Sequence, residues 1–267
     1  MGNIIQFAEA RTKLSFERIK STYSVREISR QFGLPERHIR RWSQEGWIPT
    51  SPRGGDGEIR FDLSALAVFR RIRDQRSRGR SMRQIEAELH GQLRLFPEQE
   101  GKLIELPRKF SLFEQALALH EQGNSEAAQV YLKATLEEDH AADAFCNLGI
   151  LEFEAGKATS AFDRFTQALR LDPRHFEAHF NLAHLYFESG ELRLAKLHYE
   201  IAAEIEPGFA DLYFNLGLVH AISGELKSAV QALHHARELS AEDEGTRVDD
   251  LLSSVEGALC TPPPAEE

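Results

Sequence analysis

The chain has 267 residues, 42% of them hydrophobic and 28% charged, with a formal net charge of −10. That length is enough for two domains. No apolar run approaches the ~20 residues of a membrane-spanning helix, no signal-peptide pattern opens the sequence, and Cys146 and Cys260 sit in unlike surroundings that make no metal or redox motif. A soluble, cytoplasmic protein is expected. The charge is split: residues 1–96 carry 19 Lys+Arg against 11 Asp+Glu, a net of +8, whereas residues 97–267 carry 13 against 31, a net of −18. A concentrated positive half is the electrostatic footprint of nucleic-acid binding.

Residues 1–21 form an extension without a firm pattern. Ile4, Ile5 and Phe7 could supply a short apolar contact, and Leu14, Phe16 and Ile19 a frayed helix. From Ser24 the pattern sharpens. Val25, Ile28 and Phe32 fall at helical spacing behind a Ser24 cap, and Gly33 breaks the helix. Pro35 suits the first position of a second helix, in which Ile39 and Trp42 face inward and Arg37, His38, Arg40 and Arg41 outward. Two short helices, a glycine turn and an arginine-rich second helix spell a helix-turn-helix. Pro49 to Phe61, with its glycines and prolines, reads as a tight loop or hairpin carrying Arg53 and Arg60. Leu63, Leu66, Phe69 and Ile72 then mark one face of a further helix, and Gly79 and Ser81 open a short one with Met82, Ile85 and Leu89.

As a set, Tyr23-Ser24-Val25 with Glu27-Ile28, Ile39-Arg40, Trp42, Gly46-Trp47-Ile48-Pro49, Arg60-Phe61, Asp62-Leu63 and Gly79-x-Ser81 resembles the winged-helix DNA-binding domain of the MerR family of bacterial transcription regulators. The resemblance covers roughly residues 22–91. It implies that Arg37, His38, Arg40 and Arg41 enter the major groove of double-stranded DNA while Arg53 and Arg60 reach the flanking backbone. Arg40 matches the arginine of the family's recognition helix; Arg41 stands where the family often has an aromatic. The family's long dimerisation helix is interrupted here by Gly91, Pro97 and Gly101, which leaves a homodimer open, and its metal-binding cysteines are absent.

Residues 92–109 read as a linker. Beyond it Leu148, Gly149, Gly156, Ala161, Phe165, Ala168 and Pro173 recur 34 residues later as Leu182, Ala183, Gly190, Ala195, Tyr199, Ala202 and Pro207. They recur again as Leu216, Gly217, Gly224, Ala229, Leu233, Ala236 and Ala241. This period resembles tetratricopeptide repeats, about four of them over residues 110–243, the first being the weaker set around Ala116, Gly123 and Ala128. Residues 244–260 suit a capping helix and residues 261–267 a disordered tail. The expected class is mainly α: a winged helix-turn-helix with a small β wing, then an α-solenoid.

Asn147, Asn181 and Asn215 stand 34 apart on the side of each first helix that lines the groove of this fold. They are similar to the asparagine ladder in the repeats of O-linked N-acetylglucosamine transferase, where amides hold a peptide backbone. An amide is both donor and acceptor and so matches a peptide unit; the same amides could instead tie neighbouring helices. Asp143, Glu177 and Asp211, with Phe153, Phe180, Phe187 and Phe214, complete a groove suited to a basic, partly apolar peptide. Those acids could also compete with DNA phosphate for Arg40, Arg41 and Arg60, unless they lie beyond a Debye length of ~8 Å. No phosphate-binding loop, dinucleotide fingerprint or defensible nucleophile–base pair occurs, so neither enzyme activity nor a cofactor is expected. His175 and His179, and His234-His235, lack partners at metal-ligand spacing. The reading is a bacterial regulator that binds DNA and a protein or peptide partner, associated with the nucleoid. The alternative is a scaffold whose winged helix docks protein.

Overall fold

The computed structural model describes residues 16–17, 19–51, 58–93, 110–137, 140–240 and 246–260. Arg53, the tip of the expected wing, Ile4, Ile5, Phe7 and Leu14, most of the linker and the C-terminal tail lie outside these.

A short strand β1 (Thr22–Ser24) runs straight into α1 (Val25–Phe32). Ser24 and Glu27 close a capping box: the Glu27 N–H donates to Ser24 Oγ at 3.2 Å and the Ser24 N–H to Glu27 Oε2 at 2.7 Å. Gly33 ends α1 at φ 58°, a conformation that costs a side-chain-bearing residue about 1–2 kcal/mol. Pro35 caps α2 (Glu36–Gln44) from just outside rather than filling its first position, because its ψ of 130° is extended. β2 (Arg60–Asp62) pairs antiparallel with β1, Tyr23 opposite Phe61. The observed sheet thus joins the wing to the strand before the helix-turn-helix, a strand the sequence pattern does not announce. Asp62 caps α3 (Leu63–Ser77), accepting from the Ser64 and Ala65 N–H groups, and α4 (Met82–Leu93) follows. Ile28, Phe32, Ile39, Trp42, Phe61, Phe69, Ile72 and Ile85 form the common core.

Among the described residues the second half shows four helical hairpins and a cap. They are α5 (Leu112–Glu121) with α6 (Ala127–Leu136), α7 (Ala141–Glu154) with α8 (Ala158–Leu171), α9 (Phe176–Glu188) with α10 (Leu192–Ile205), and α11 (Ala210–Ile222) with α12 (Leu226–Leu239). α13 (Thr246–Cys260) covers the last hairpin, burying Val248, Leu251 and Val255. Small residues set the helix spacing. Gly149 lies under the Phe165 ring, and Gly217 under Leu233, so closely that an added Cβ would sit 2.8 Å from Phe165 Cε1 or 2.7 Å from Leu233 Cγ. Phe180, Phe187 and Phe214, expected to line an open groove, are buried in the packed interior. Phe180 sits edge-on to Tyr199 and Phe209. Helix packing claims these rings because they fall on the hairpin face as well as on the groove side.

Candidate functional site

Three features carry recognition chemistry: the asparagine row, the surface of α2, and the junction between the two halves.

The asparagine row is occupied by the chain itself. Asn181 Oδ1 accepts the Glu17 N–H at 2.8 Å while Asn181 Nδ2 donates to the Glu17 carbonyl at 2.7 Å. Asn147 treats Ile19 in the same way, accepting its N–H at 3.0 Å and donating to its carbonyl at 2.9 Å. Phe16, Glu17 and Ile19 therefore stand outside any helix, where a frayed one was expected, since the amides take the backbone groups of Glu17 and Ile19 that a helix would pair internally. Besides holding this backbone, the asparagine row ties neighbouring helices. Asn147 Nδ2 also donates to Tyr131 Oη at 3.1 Å, and Asn215 Nδ2 to Tyr199 Oη at 3.3 Å, each tie reaching back 16 residues. At the equivalent place below Asn181 stands Phe165, which has no hydroxyl, and that amide donates to Cys146 Sγ at 3.4 Å instead.

Side chains anchor the segment at both ends. Phe16 packs on Phe153 at 4.5 Å and His184 at 4.4 Å between ring centroids, with Phe165 stacked at 6.1 Å. Ile19 is wholly buried in the core of the first two hairpins. Glu17 is the misfit: burial, with Glu177, Asp211 and Glu27 nearby and only Lys20 in opposition, pushes its carboxyl up to about 7.

On α2, Arg37 and Arg40 are exposed and His38 is half-buried over Trp42. Arg40 pairs with Glu36 at 2.8 Å one turn away, Arg41 with Glu86 of α4, and Arg60 with Glu58 at 3.2 Å. Such exposed pairs are worth about 0–1 kcal/mol each, so a phosphate can displace the carboxylate at little cost.

The junction uses the basic helix α3. Arg70 reaches Glu177 at 3.6 Å, Arg73 pairs with Glu206, and Gln31 Nε2 donates to Glu177 at 3.5 Å. Glu177 and Glu206 are buried. Asp143 binds His140 and His175 at 3.1 and 3.0 Å, and despite its burial these contacts hold its carboxyl well below the usual range. Burial pulls the His175 imidazole down, but Asp143 and Glu177 outweigh it and the net effect is upward. Asp143 and Glu177 thus meet α3 and histidines rather than Arg40, Arg41 and Arg60, because α3 is the face of the winged helix that rests on the solenoid. At Gly208 the backbone lies so near Gly33 that there is no room for a Cβ, which would lie 2.8 Å from Gly33 N.

Residues 23–92 match the family described as MerR HTH family regulatory protein. Residues 113–173 and 180–244 match one tetratricopeptide repeat family, and residues 152–200 another. The chain joins a MerR-type helix-turn-helix domain to tetratricopeptide repeats. No curated protein matches it. Among solved structures it is similar to the first repeat domain of Spaghetti (RPAP3) bound to HSP90 peptide SRMEEVD, at 22% identity over 45% of this chain and 94% of that one, TM-score 0.43. It is also similar to MamA 41-end from Desulfovibrio magneticus RS-1, at 19% over 55% and 92%, TM-score 0.45. A third is the type III secretion translocator chaperone SycD of Yersinia enterocolitica, at 22% over 45% and 86%, TM-score 0.43.

Neither matched family is enzymatic, and among the described residues no cluster of three or more His, Cys, Asp or Glu could hold a metal. Nor is any described helix long and apolar enough to cross a membrane. His179 and His198, which the sequence reading did not pair, face each other at 2.9 Å across the third repeat, and burial drives His198 down to about 4. Sequence reasoning missed Phe16, Glu17 and Ile19 as groove contacts and Arg70, Arg73 and Glu206 as junction residues. The 34-residue period located the asparagines, but no local pattern says which segment lies across them.

Proposed function

We propose that this is a bacterial transcription regulator that binds double-stranded DNA through its MerR-type domain and a protein or peptide segment through its repeats. The observation that carries the DNA half is the outward face of α2, where Arg37, Arg40 and Arg41 stand exposed within the basic residues 1–96, Arg40 paired with Glu36 and Arg41 with Glu86 and beside the Trp47 ring. His38 and Arg60 flank them, and Arg53 is proposed for the same surface from its sequence position. The peptide half is supported by the paired donor and acceptor that each groove asparagine presents to one residue's backbone. This reading puts the protein with DNA in the cytoplasm.

The test is a mobility-shift assay on the full chain with randomised duplex, across a salt series. Binding should weaken steeply with salt, and replacing both Arg37 and Arg40 with alanine should cost roughly 1–3 kcal/mol per lost base contact. The packing of α3 on the solenoid favours a second reading, a scaffold whose winged helix is a protein-docking module. A full chain that shifts no duplex even at low salt would select the scaffold.

A further inference from the structure

We propose that the stretch holding Phe16, Glu17 and Ile19 is a resident placeholder in the repeat groove, and that the groove's true occupant is an extended segment of another protein with an aromatic residue and, three positions on, an aliphatic one, which displaces it. This rests on the repeats being the peptide-binding half of the protein.

The geometry defines the ligand. In an extended chain the backbone groups of residues i and i+2 point the same way. Two asparagines on adjacent repeats therefore read alternate residues, Glu17 and Ile19, without consulting their side chains. Identity is read at the ends. The Phe16 ring lies among Phe153, Phe165 and His184, a site of aromatic shape, and Ile19 is enclosed as a core residue would be. The polarity is also fixed: the later residue sits on the earlier repeat, so a ligand runs with its N-terminal end toward the fourth repeat.

Three acids, Glu177 on α9, Asp211 on α11 and Glu27 on α1, face the second position, and the chain's own segment puts a carboxylate there. A ligand with a neutral or basic residue at that position escapes the repulsion and the cost of desolvating a charge. The resident segment is thus well shaped and poorly charged, which suits something meant to leave. Its departure reaches the DNA-binding half directly. The Lys20 N–H donates to Tyr23 Oη at 3.0 Å, Lys20 Nζ pairs with Glu27 at 2.7 Å, and Ser21 donates to Glu121, so two residues separate the clamp from β1.

The experiment titrates a fluorescent peptide of residues 12–21 into the full chain, in its native form and with Glu17→Gln, following anisotropy. The wild-type chain should bind weakly. The full-length Phe16→Ala/Ile19→Ala variant, whose own segment no longer competes, should bind at least tenfold more tightly. The Glu17→Gln peptide should outbind the native one by roughly tenfold at neutral pH. Adding Asn147→Ala and Asn181→Ala should remove binding while helical circular dichroism persists. Equal affinity for the wild-type and Phe16→Ala/Ile19→Ala chains would overturn the placeholder and leave the peptide-binding groove standing. No binding by either folded chain would overturn both. Should the variant fail to fold, hydrogen exchange on the wild-type chain decides. The Glu17 and Ile19 amides should be protected and lose protection on adding excess Glu17→Gln peptide; unchanged protection would refute exchange.

Discussion

Replacing Gly208 with alanine should pry the MerR-type domain from the repeats while leaving both folded. Gly208 has no positive φ, so alanine is conformationally acceptable there and the effect is purely steric. The new Cβ would stand 2.8 Å from Gly33 N and 2.9 Å from Gly33 Cα, where ordinary contact begins at 3.4 Å. The surfaces must part by 3.4 − 2.8 = 0.6 Å, and neither atom belongs to a side chain that can turn aside. The turn itself is held, since Arg76 donates to the Gly33 carbonyl at 3.1 Å. Overpacking of this size costs about 1–3 kcal/mol, or roughly 5- to 150-fold in the docking equilibrium. The control is Gly33→Ala: its Cβ would meet Gly208 Cα at an ordinary 3.7 Å, so it strains the helix cap at φ 58° without wedging the junction. Small-angle scattering should show a larger radius of gyration for Gly208→Ala, larger again for Gly208→Val, at unchanged helical content. A Gly208→Ala chain that scatters like the wild type, or a Gly33→Ala chain that opens equally, would refute the wedge argument.

Three further outcomes follow from the same contacts. Arg73→Ala takes the partner from buried Glu206, whose carboxyl burial already raises to about 8 against Arg73's opposition and which is therefore mostly neutral at pH 7; docking should lose about 1–3 kcal/mol, the cost of an unsatisfied buried polar group, in the same scattering assay. Glu17 is raised to about 7 when seated against 4.5 when free, so the segment is held best below pH 4.5, loosens as pH rises through 7 and is level above. Amide protection at residues 17 and 19 should follow that curve, and a full-length Glu17→Gln chain should flatten it; a curve of opposite slope would sink the assignment. Gly149→Ala and Gly217→Ala should each lower the stability of the repeats by about 1–3 kcal/mol in thermal melts, because Phe165 and Leu233 are fully buried and cannot swing clear.

Both folds were legible because each is written in periodic or capped residues. Ser24, Glu27 and Gly33 announce α1, and the 34-residue recurrence of small and aromatic residues announces the hairpins. The asparagine row was legible for the same reason. The arrangement between elements was not. Arg70 and Arg73 look like any basic helical face until the solenoid is set against them. Glu177 looks like a groove acid until Arg70 and His175 enclose it. Phe16-Glu17-x-Ile19 has no period at all, because an extended segment held by another element's side chains needs no regular pattern of its own.

The clamp also sets an order of events during synthesis. Glu17 must wait for Asn181, 164 residues later, and Ile19 for Asn147, 128 residues later. At about 5–20 residues per second, roughly 8–33 s pass between the making of Glu17 and the making of its amide partner. For the later part of that interval, once residue 92 has been made, the MerR-type domain is complete while the segment ahead of its leading strand still waits for its partner.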